Sequence, residues 1–230
     1  GNPGSLHSFG QEAIAAVDRS REIIAKSIGA GFREIIFTGS ATEANNFAVR
    51  GVRKACRFWL LGFMGGGLKA NSYKLKPRLI ISAVEHESVL ETARDLERDG
   101  IEIIYLPVNK SGVVDLEKLK ESLNERTVLV SVMYANNEIG TIQPIAEISE
   151  VIKNFREHTK TGWPLFHTDV AQAFQFLDCN VDKLGVDLMT LSAHKIYGPK
   201  GIGAFFMKRE TWDMKQKETF HASGFMLHPT

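Results

Sequence analysis

The sequence predicts an α/β fold in which a mostly parallel sheet is sandwiched by helices. Short apolar runs of strand length alternate with stretches of helical periodicity along the chain. The runs lack polar alternation, as expected of strands that helices cover on both faces. We therefore expect one large domain over residues 1–230, which begins inside a loop and stops without closing an element.

The predicted elements follow one another in a regular order. Strands are predicted at residues 34–38, 79–82, 101–106, 128–133, 165–169, 186–191 and 204–207. Helices are predicted over residues 8–28, the stretch through Phe47, Val49 and Val52, residues 89–98, residues 115–123 with Asp115 as the N-cap, and the stretch that Pro144 opens. Residues 58–76, aromatic and then glycine-rich, are predicted to form an inserted mobile loop or hairpin.

Composition excludes several classes of protein. The 28 basic and 27 acidic residues leave a net charge of +1, so no nucleic-acid partner is implied. Two cysteines without a C-x-x-C motif argue against a disulfide framework and a cysteine-rich zinc site. No apolar stretch has membrane-spanning length and no signal peptide opens the sequence, which makes the cytoplasm the default expectation.

Polar clusters follow five of the predicted strands. They are residues 40–42, 85–86, 136–138, Asp169 with Gln172, and 192–195. Ligands of parallel sheets bind at the carboxyl ends of the strands, so we expect these clusters to form one site.

Lys195 and Asp169 are the most informative residues of these clusters. A lysine just past a buried strand is expected on the floor of a site, where lost solvation lowers its pKa and makes it a nucleophile for a Schiff base. The alternative is one more solvated lysine near a turn. Asp169 could cap the following turn, or pair with the protonated ring nitrogen of a pyridoxal cofactor.

Other clusters leave alternatives open. Residues 39–42 could bind a phosphate at a helix N-terminus or serve only as an N-cap. His86 could be structural, or could stack on an aromatic cofactor and handle protons. Residues 136–140 could be only a turn, although buried amides there also suit a ring hydroxyl. The dinucleotide fingerprint and the P-loop are both missing, which makes a nucleotide-binding protein a weak candidate.

This ordered series of segments resembles the cysteine desulfurase family, within the class V aminotransferase group of fold-type I pyridoxal-phosphate enzymes. The resemblance runs from Gly1 to about Lys208, and residues 192–203 carry its most specific part. It implies pyridoxal 5′-phosphate as the cofactor and no metal. The implied cofactor-binding residues are Ala41, Thr42, His86, Asn137, Asp169, Gln172, Ser192, His194 and Lys195.

The resemblance also implies a role for each residue. Lys195 and His86 are the catalytic pair: Lys195 forms the Schiff base and carries protons, and His86 stacks on the ring. Asp169 keeps the pyridine nitrogen protonated. Gln172 and Asn137 bind the region of the phenolic oxygen. The phosphate is held by the remaining four, Ala41 through its backbone, Thr42, Ser192 and His194.

The implied reaction converts L-cysteine to L-alanine and leaves a protein persulfide. Its sulfur then passes to an acceptor such as an iron–sulfur scaffold or a tRNA-thiolation partner, and the enzyme is expected to be a homodimer. The family's sulfur-accepting cysteine follows the lysine, whereas no cysteine follows Cys179 here, and Cys56 and Cys179 are both expected to be structural.

Other departures keep alternatives open. The family's opening strand and small C-terminal domain are missing, and residues 220–225 are only faintly similar to its glycine-rich loop. Selenocysteine lyase or another class V activity on the same scaffold therefore stays an alternative. A non-catalytic fragment that acts through protein contacts is the third candidate.

Overall fold

The computed structural model describes residues 1–62 and 76–211, with the side chains of residues 53–62 left out. The helices are α1 (Ser8–Ser27), α2 (Ala41–Gly62), α3 (Glu87–Arg98), α4 (Leu116–Ser122), α5 (Ile145–Thr159) and α6 (Val181–Leu184). The strands are β1 (Ile35–Thr38), β2 (Arg78–Ser82), β3 (Glu102–Leu106), β4 (Thr127–Ser131), β5 (Leu165–Asp169), β6 (Leu188–Ser192) and β7 (Gly203–Met207).

The strands form one sheet in the order β1-β7-β6-β5-β4-β2-β3. Strand β7 pairs antiparallel with both β1 and β6, and the other pairings are parallel. Six strands of the described sheet therefore run in one direction, and their carboxyl ends share one edge. The predicted fold class, a mostly parallel sheet between helices, is confirmed.

The two faces of the sheet carry separate apolar cores. Strand residues Ile80, Val130, Phe166 and Met189 pack with buried residues of α1, α4, α5 and α6. Their neighbours along the strands, Leu79, Leu129, Leu165 and Leu188, pack with buried residues of α2 and α3. Successive strand side chains point to opposite faces, so helices on both sides require the continuous apolar runs seen in the sequence.

The predicted elements agree with the structure, apart from two differences. Helix α2 continues to Gly62, so the predicted loop over residues 58–76 is wrong for residues 58–62. No glycine or proline interrupts residues 52–61, which leaves nothing to end the helix earlier. Residues 63–75 of that predicted loop, and residues 220–225, lie outside the described residues. Helix α6 was not predicted, because four residues are too few to show a helical period.

Two contacts position the start of α2 against the sheet. A side chain on Gly203, the first residue of β7, would place its Cβ 2.6 Å from the backbone carbon of Ser40. Only glycine allows this close approach. The Thr38 hydroxyl also donates to the Ser40 carbonyl at 2.9 Å. Within the described residues, no helix is both long enough and apolar enough to cross a membrane.

Candidate active site

A cavity of about 190 Å³ lies at the carboxyl edge of the sheet, where β1, β2, β4, β5 and β6 end. Its lining residues are Ser40, Ala41, Thr42, Asn45, His86, Ser88, Met133, Ala135, Asn137, Asp169, Ala171, Gln172, Ser192, His194 and Lys195. All nine predicted cofactor-binding residues are among them. The fold therefore brings these nine together, and what each one binds stays a prediction.

Asp169 ends β5 at the bottom of the cavity and is only 6% exposed. Its Oδ2 accepts a hydrogen bond from Asn45 Nδ2 at 2.7 Å, and its Oδ1 accepts one from the Ala171 N–H at 2.8 Å. The second bond is the turn cap that the sequence left open as an alternative. Burial raises the pKa of Asp169 above its ordinary value, although the two donors and the nearby His86 act against this rise.

The start of α2 forms one wall of the cavity. Ser40 caps this helix, because its hydroxyl accepts from the Glu43 N–H at 3.1 Å. The Glu43 carboxylate in turn accepts from the Gly39 N–H at 2.5 Å. Ala41 and Thr42 are the first two residues of α2, so their N–H groups have no acceptor within the helix. N-capping by Ser40 is therefore observed, and anion binding by these N–H groups stays a prediction.

His86 is the N-cap of α3, beyond the end of β2. Its Nδ1 accepts from the Ser88 N–H at 3.1 Å and lies 2.8 Å from the Ser88 hydroxyl. The residue is exposed and lines the cavity. One ring nitrogen therefore has a structural role, and the ring remains accessible to a ligand.

Lys195 lies in a single 3-10 turn, Ala193–Ile196, directly after β6. The residue lines the cavity but is exposed, which contradicts the expectation of a desolvated lysine on the floor. Strand β6 ends at the buried Ser192, and the turn carries the following residues to the rim, where they are not packed under any described element. Ser192 Oγ and His194 Nδ1 lie 3.0 Å apart beside it.

The turn after β4 is organised by Asn136, and Asn137 points away from the core. Asn136 Oδ1 accepts from the N–H groups of Glu138 and Ile139, at 2.9 and 3.0 Å, and its Nδ2 donates to the Val84 carbonyl. Asn137 is exposed, so the expectation of buried amides is wrong at this position. The Asn136 side chain folds back onto the turn that it stabilises, and the next residue, Asn137, faces the cavity.

Two buried titratable residues below the cavity were given no role by the sequence, although Glu85 belongs to the predicted polar cluster 85–86. Glu85 is 5% exposed; its Oε1 accepts from the Met133 N–H at 2.5 Å, and its Oε2 has no partner among the described residues. Burial raises the pKa of Glu85 to about 8. His167, in β5, contacts Ser131 Oγ at 2.9 Å and Thr190 Oγ1 at 3.1 Å, and burial lowers its pKa to about 3.

Sequence reasoning also missed Asn45 and Ser88, which line the cavity and contact each other. Asn45 is 1% exposed on the face of α2 that also buries Ala44, Ala48 and Val49. A polar residue at such a position must find hydrogen-bond partners, and this was the signal that could have found it.

Cys179 is unsuited to nucleophilic chemistry. It is 4% exposed, and burial raises the pKa of its thiol to about 12. Only the thiolate is a good nucleophile. A structural role agrees with this environment, and the side chain of Cys56 lies outside the described part of the structure.

The sequence matches the family model described as aminotransferase class-V over residues 1–59 and 64–229. It is 46% identical over 211 residues to cysteine desulfurase IscS of Dictyoglomus turgidum, a match that covers 92% of this chain and 48% of the relative.

Solved structures show the same similarity. A NifS-like protein superposes with a TM-score of 0.79 at 36% identity, covering 92% of this chain and 52% of that one. A structure described as SspA in complex with cysteine superposes with a TM-score of 0.74 at 39% identity, covering 90% and 53%. This chain therefore spans about half the length of the relatives that it matches.

Proposed function

We propose that residues 1–230 form the large cofactor-binding domain of a pyridoxal-phosphate-dependent cysteine desulfurase. The premise is that this chain belongs to the aminotransferase class-V family. The observation that carries the proposal is the single cavity that gathers a lysine, a buried aspartate, a histidine and a helix N-terminus from four different strand ends. The names of the relatives support cysteine as the substrate class.

The chemistry of the cavity fits pyridoxal 5′-phosphate. The buried Asp169 carboxylate would gain from a cationic partner, which a protonated pyridine nitrogen provides. The N–H groups of Ala41 and Thr42, with the Ser192 hydroxyl, suit a phosphate. When bound, the cofactor supplies an electron sink that stabilises negative charge on the substrate.

Each residue then has a defined task. Lys195, at the accessible rim, would hold the cofactor through its Nζ, and the same amine would carry protons there. Asp169 holds the proton on the ring nitrogen, because an ionised carboxylate stabilises the adjacent cation. His86 covers the ring face and moves protons.

The remaining contacts orient the cofactor. Gln172 and Asn137 offer amide groups to the phenolic oxygen, and His194 joins Ala41, Thr42 and Ser192 around the phosphate. We propose these contacts because all of the residues line one cavity and offer different groups to a ligand, namely side-chain amides, a hydroxyl, an imidazole and backbone N–H groups.

The proposed overall reaction transfers the sulfur of L-cysteine to a protein thiolate. The substrate carbon–sulfur bond breaks, a sulfur–sulfur bond forms, and L-alanine leaves after the carbon takes up a proton. Cys179 cannot act as this thiolate because of its burial and its raised pKa, and no cysteine follows it in this sequence. We propose that the accepting cysteine belongs to a part of the protein not included here.

Sulfur acceptors and self-association follow from the same proposal. The expected acceptor is an iron–sulfur scaffold or a tRNA-thiolation protein, and the expected assembly is a homodimer. The exposed rim of the cavity supports the second expectation, since a partner subunit could cover it. A cytoplasmic location also stays a prediction, to be tested by imaging the tagged full-length protein.

The experiment that tests the proposal is a visible absorption spectrum of the chain with pyridoxal phosphate. We expect a band of lysine-bound pyridoxal that is lost in Lys195→Ala and retained in Lys200→Ala, a matched exposed lysine five positions further along. Absence of the band from the folded wild-type chain would reject cofactor binding by this chain and favour a non-catalytic role.

Substrate choice needs the full-length protein. Release of alanine from L-cysteine, abolished in Lys195→Ala, would support the desulfurase. A strong preference for selenocysteine over cysteine would instead identify the selenocysteine lyase alternative.

A further inference from the structure

A continuous series of hydrogen bonds joins a buried residue at the bottom of the cavity to an exposed residue at its rim. It runs from Asp169 Oδ2 to Asn45 Nδ2 (2.7 Å), from Asn45 Nδ2 to Ser88 Oγ (2.8 Å), and from Ser88 Oγ to His86 Nδ1 (2.8 Å). These four residues come from β5, α2 and the start of α3. Neither Asn45 nor Ser88 is among the nine cofactor-binding residues that the family resemblance implies.

The Asn45 amide has only one orientation that satisfies this series. Its two N–H groups donate to a carboxylate oxygen and to a hydroxyl oxygen, while its Oδ1 is buried without a partner in the described structure. A flipped amide would place its oxygen against the Asp169 oxygen, and the two would repel. An unpaired buried carbonyl is costly, so the donor contacts must outweigh that cost.

The Ser88 contacts determine which nitrogen of His86 carries the proton. The Ser88 N–H donates to Nδ1 at 3.1 Å, so Nδ1 must present a lone pair. The Ser88 hydroxyl already accepts from Asn45 and therefore has its own proton free to donate to Nδ1. The backbone contact requires the neutral tautomer with its proton on Nε2, and the hydroxyl contact is compatible with it. The assignment follows from the hydrogen-bond network.

We propose that Asn45 and Ser88 are positioning residues that link Asp169 to His86, holding the Asp169 carboxylate on the cavity floor and keeping His86 in its Nε2–H tautomer. The hydrogen-bonded link itself does not depend on the proposed function. Its consequence for the cofactor does, because Asp169 is the proposed partner of the pyridine nitrogen and His86 that of the ring face. One hydrogen-bonded series would then orient both groups, although neither linking residue touches a reacting atom.

Nitrogen-15 NMR of the histidine side chains tests the link in the chain without cofactor. In the wild type, His86 Nδ1 should show the shift of an unprotonated ring nitrogen and Nε2 that of an N–H. Ser88→Ala removes the hydroxyl contact and keeps the backbone contact to Nδ1, so it should move the Nδ1 signal part of the way toward that of a tautomer mixture. Ser88→Thr, which retains a hydroxyl, should restore it. Thr92→Val, which removes a buried hydroxyl one turn further along α3, is the matched control and should leave the signal unchanged.

Asn45→Ala provides the decisive measurement, because Asn45 does not contact His86. We expect it to shift the Nδ1 signal in the wild-type background and to add nothing in the Ser88→Ala background. An unshifted signal, or the same shift in both backgrounds, would overturn the link. Near-ultraviolet circular dichroism tests whether Asn45→Ala folds. If it does not fold, the Ser88→Ala and Ser88→Thr variants provide the test, and a wild-type Nδ1 signal in Ser88→Ala overturns the proposal.

Cofactor affinity supplies a second readout. Removing a hydrogen bond to a charged group should weaken pyridoxal-phosphate binding by Asn45→Ala roughly tenfold to a hundredfold. Unchanged affinity would overturn the positioning role. If the wild-type chain binds no pyridoxal phosphate at all, the proposed function fails, whereas the nitrogen shifts still decide whether the link exists.

Discussion

The residues at the buried base of the cavity and those at its rim differ in solvent exposure. The base consists of Glu85, His167 and Asp169, all less than 10% exposed. The rim consists of Thr42, His86, Asn137 and Lys195, all exposed. Base residues have their hydrogen-bond partners inside the chain, and burial moves their pKa values in opposite directions for the acids and the histidine.

This difference separates stability from ligand chemistry. Changes in the base should alter folding and its pH dependence, because buried ionisable groups exchange protons differently in the folded and unfolded states. Changes at the rim, apart from the α3 cap His86, should alter ligand capture and leave folding almost untouched, because an exposed side chain loses few contacts on substitution. Four substitutions test the division.

Glu85→Gln should have the largest effect. The folded-state pKa of about 8 lies above the ordinary 4.5, so the stability from proton uptake is present below pH 4.5 and is lost as pH rises to 8. The loss is about 1.4 kcal/mol per pH unit, or roughly 5 kcal/mol in all. Urea unfolding across this range should show the free energy of unfolding of the variant rising relative to that of the wild type as pH rises. Parallel curves would contradict the buried state of Glu85, and Glu87→Gln controls for loss of an exposed carboxylate.

His167→Gln should reveal the opposite slope. Burial depresses the pKa of His167 to about 3 from 6.5, so the unfolded chain takes up this proton first and stability is lost as pH falls from 6.5 toward 3. Over the accessible part of that range we expect the wild type to lose about 3 kcal/mol relative to the variant. The exposed His158, changed to glutamine, serves as the control. An identical acid profile for wild type and His167→Gln would show that the imidazole is not buried.

Asp169→Asn should cost about 1–3 kcal/mol of unfolding free energy near neutral pH. An amide cannot accept on both sides, so its N–H₂ group would meet either Asn45 Nδ2 or the Ala171 N–H. Urea unfolding measures the loss, and Asp178→Asn on the exposed surface is the comparison. A fully stable variant would mean that the two bonds to Asp169 contribute little.

Lys195→Ala should have the smallest effect on folding and a complete effect on covalent capture of pyridoxal phosphate. We expect its unfolding free energy to stay within about 0.5 kcal/mol of the wild type. Thermal unfolding without cofactor is the measurement, with Lys200→Ala beside it. A large destabilisation would place Lys195 with the base rather than the rim.

Much of the site could be predicted because parallel strands end at a common edge. Local polar signals after β1, β2, β4, β5 and β6 indicated five clusters at that edge, the family resemblance then named nine residues, and all nine line one cavity. The sequence could not show that Asn45 and Asp169, 124 positions apart, share a hydrogen bond, because no local pattern records contacts between distant elements.

The sequence by itself determined the alternation of strands and helices, the two-sided burial of the sheet and the edge at which polar side chains meet. These follow from periodicity and apolar runs, which are local properties of the chain. Only the tertiary structure decided that Lys195 is exposed and that Glu85 is buried. Exposure and pairing depend on which distant elements pack over a residue, and that packing exists only in the folded molecule.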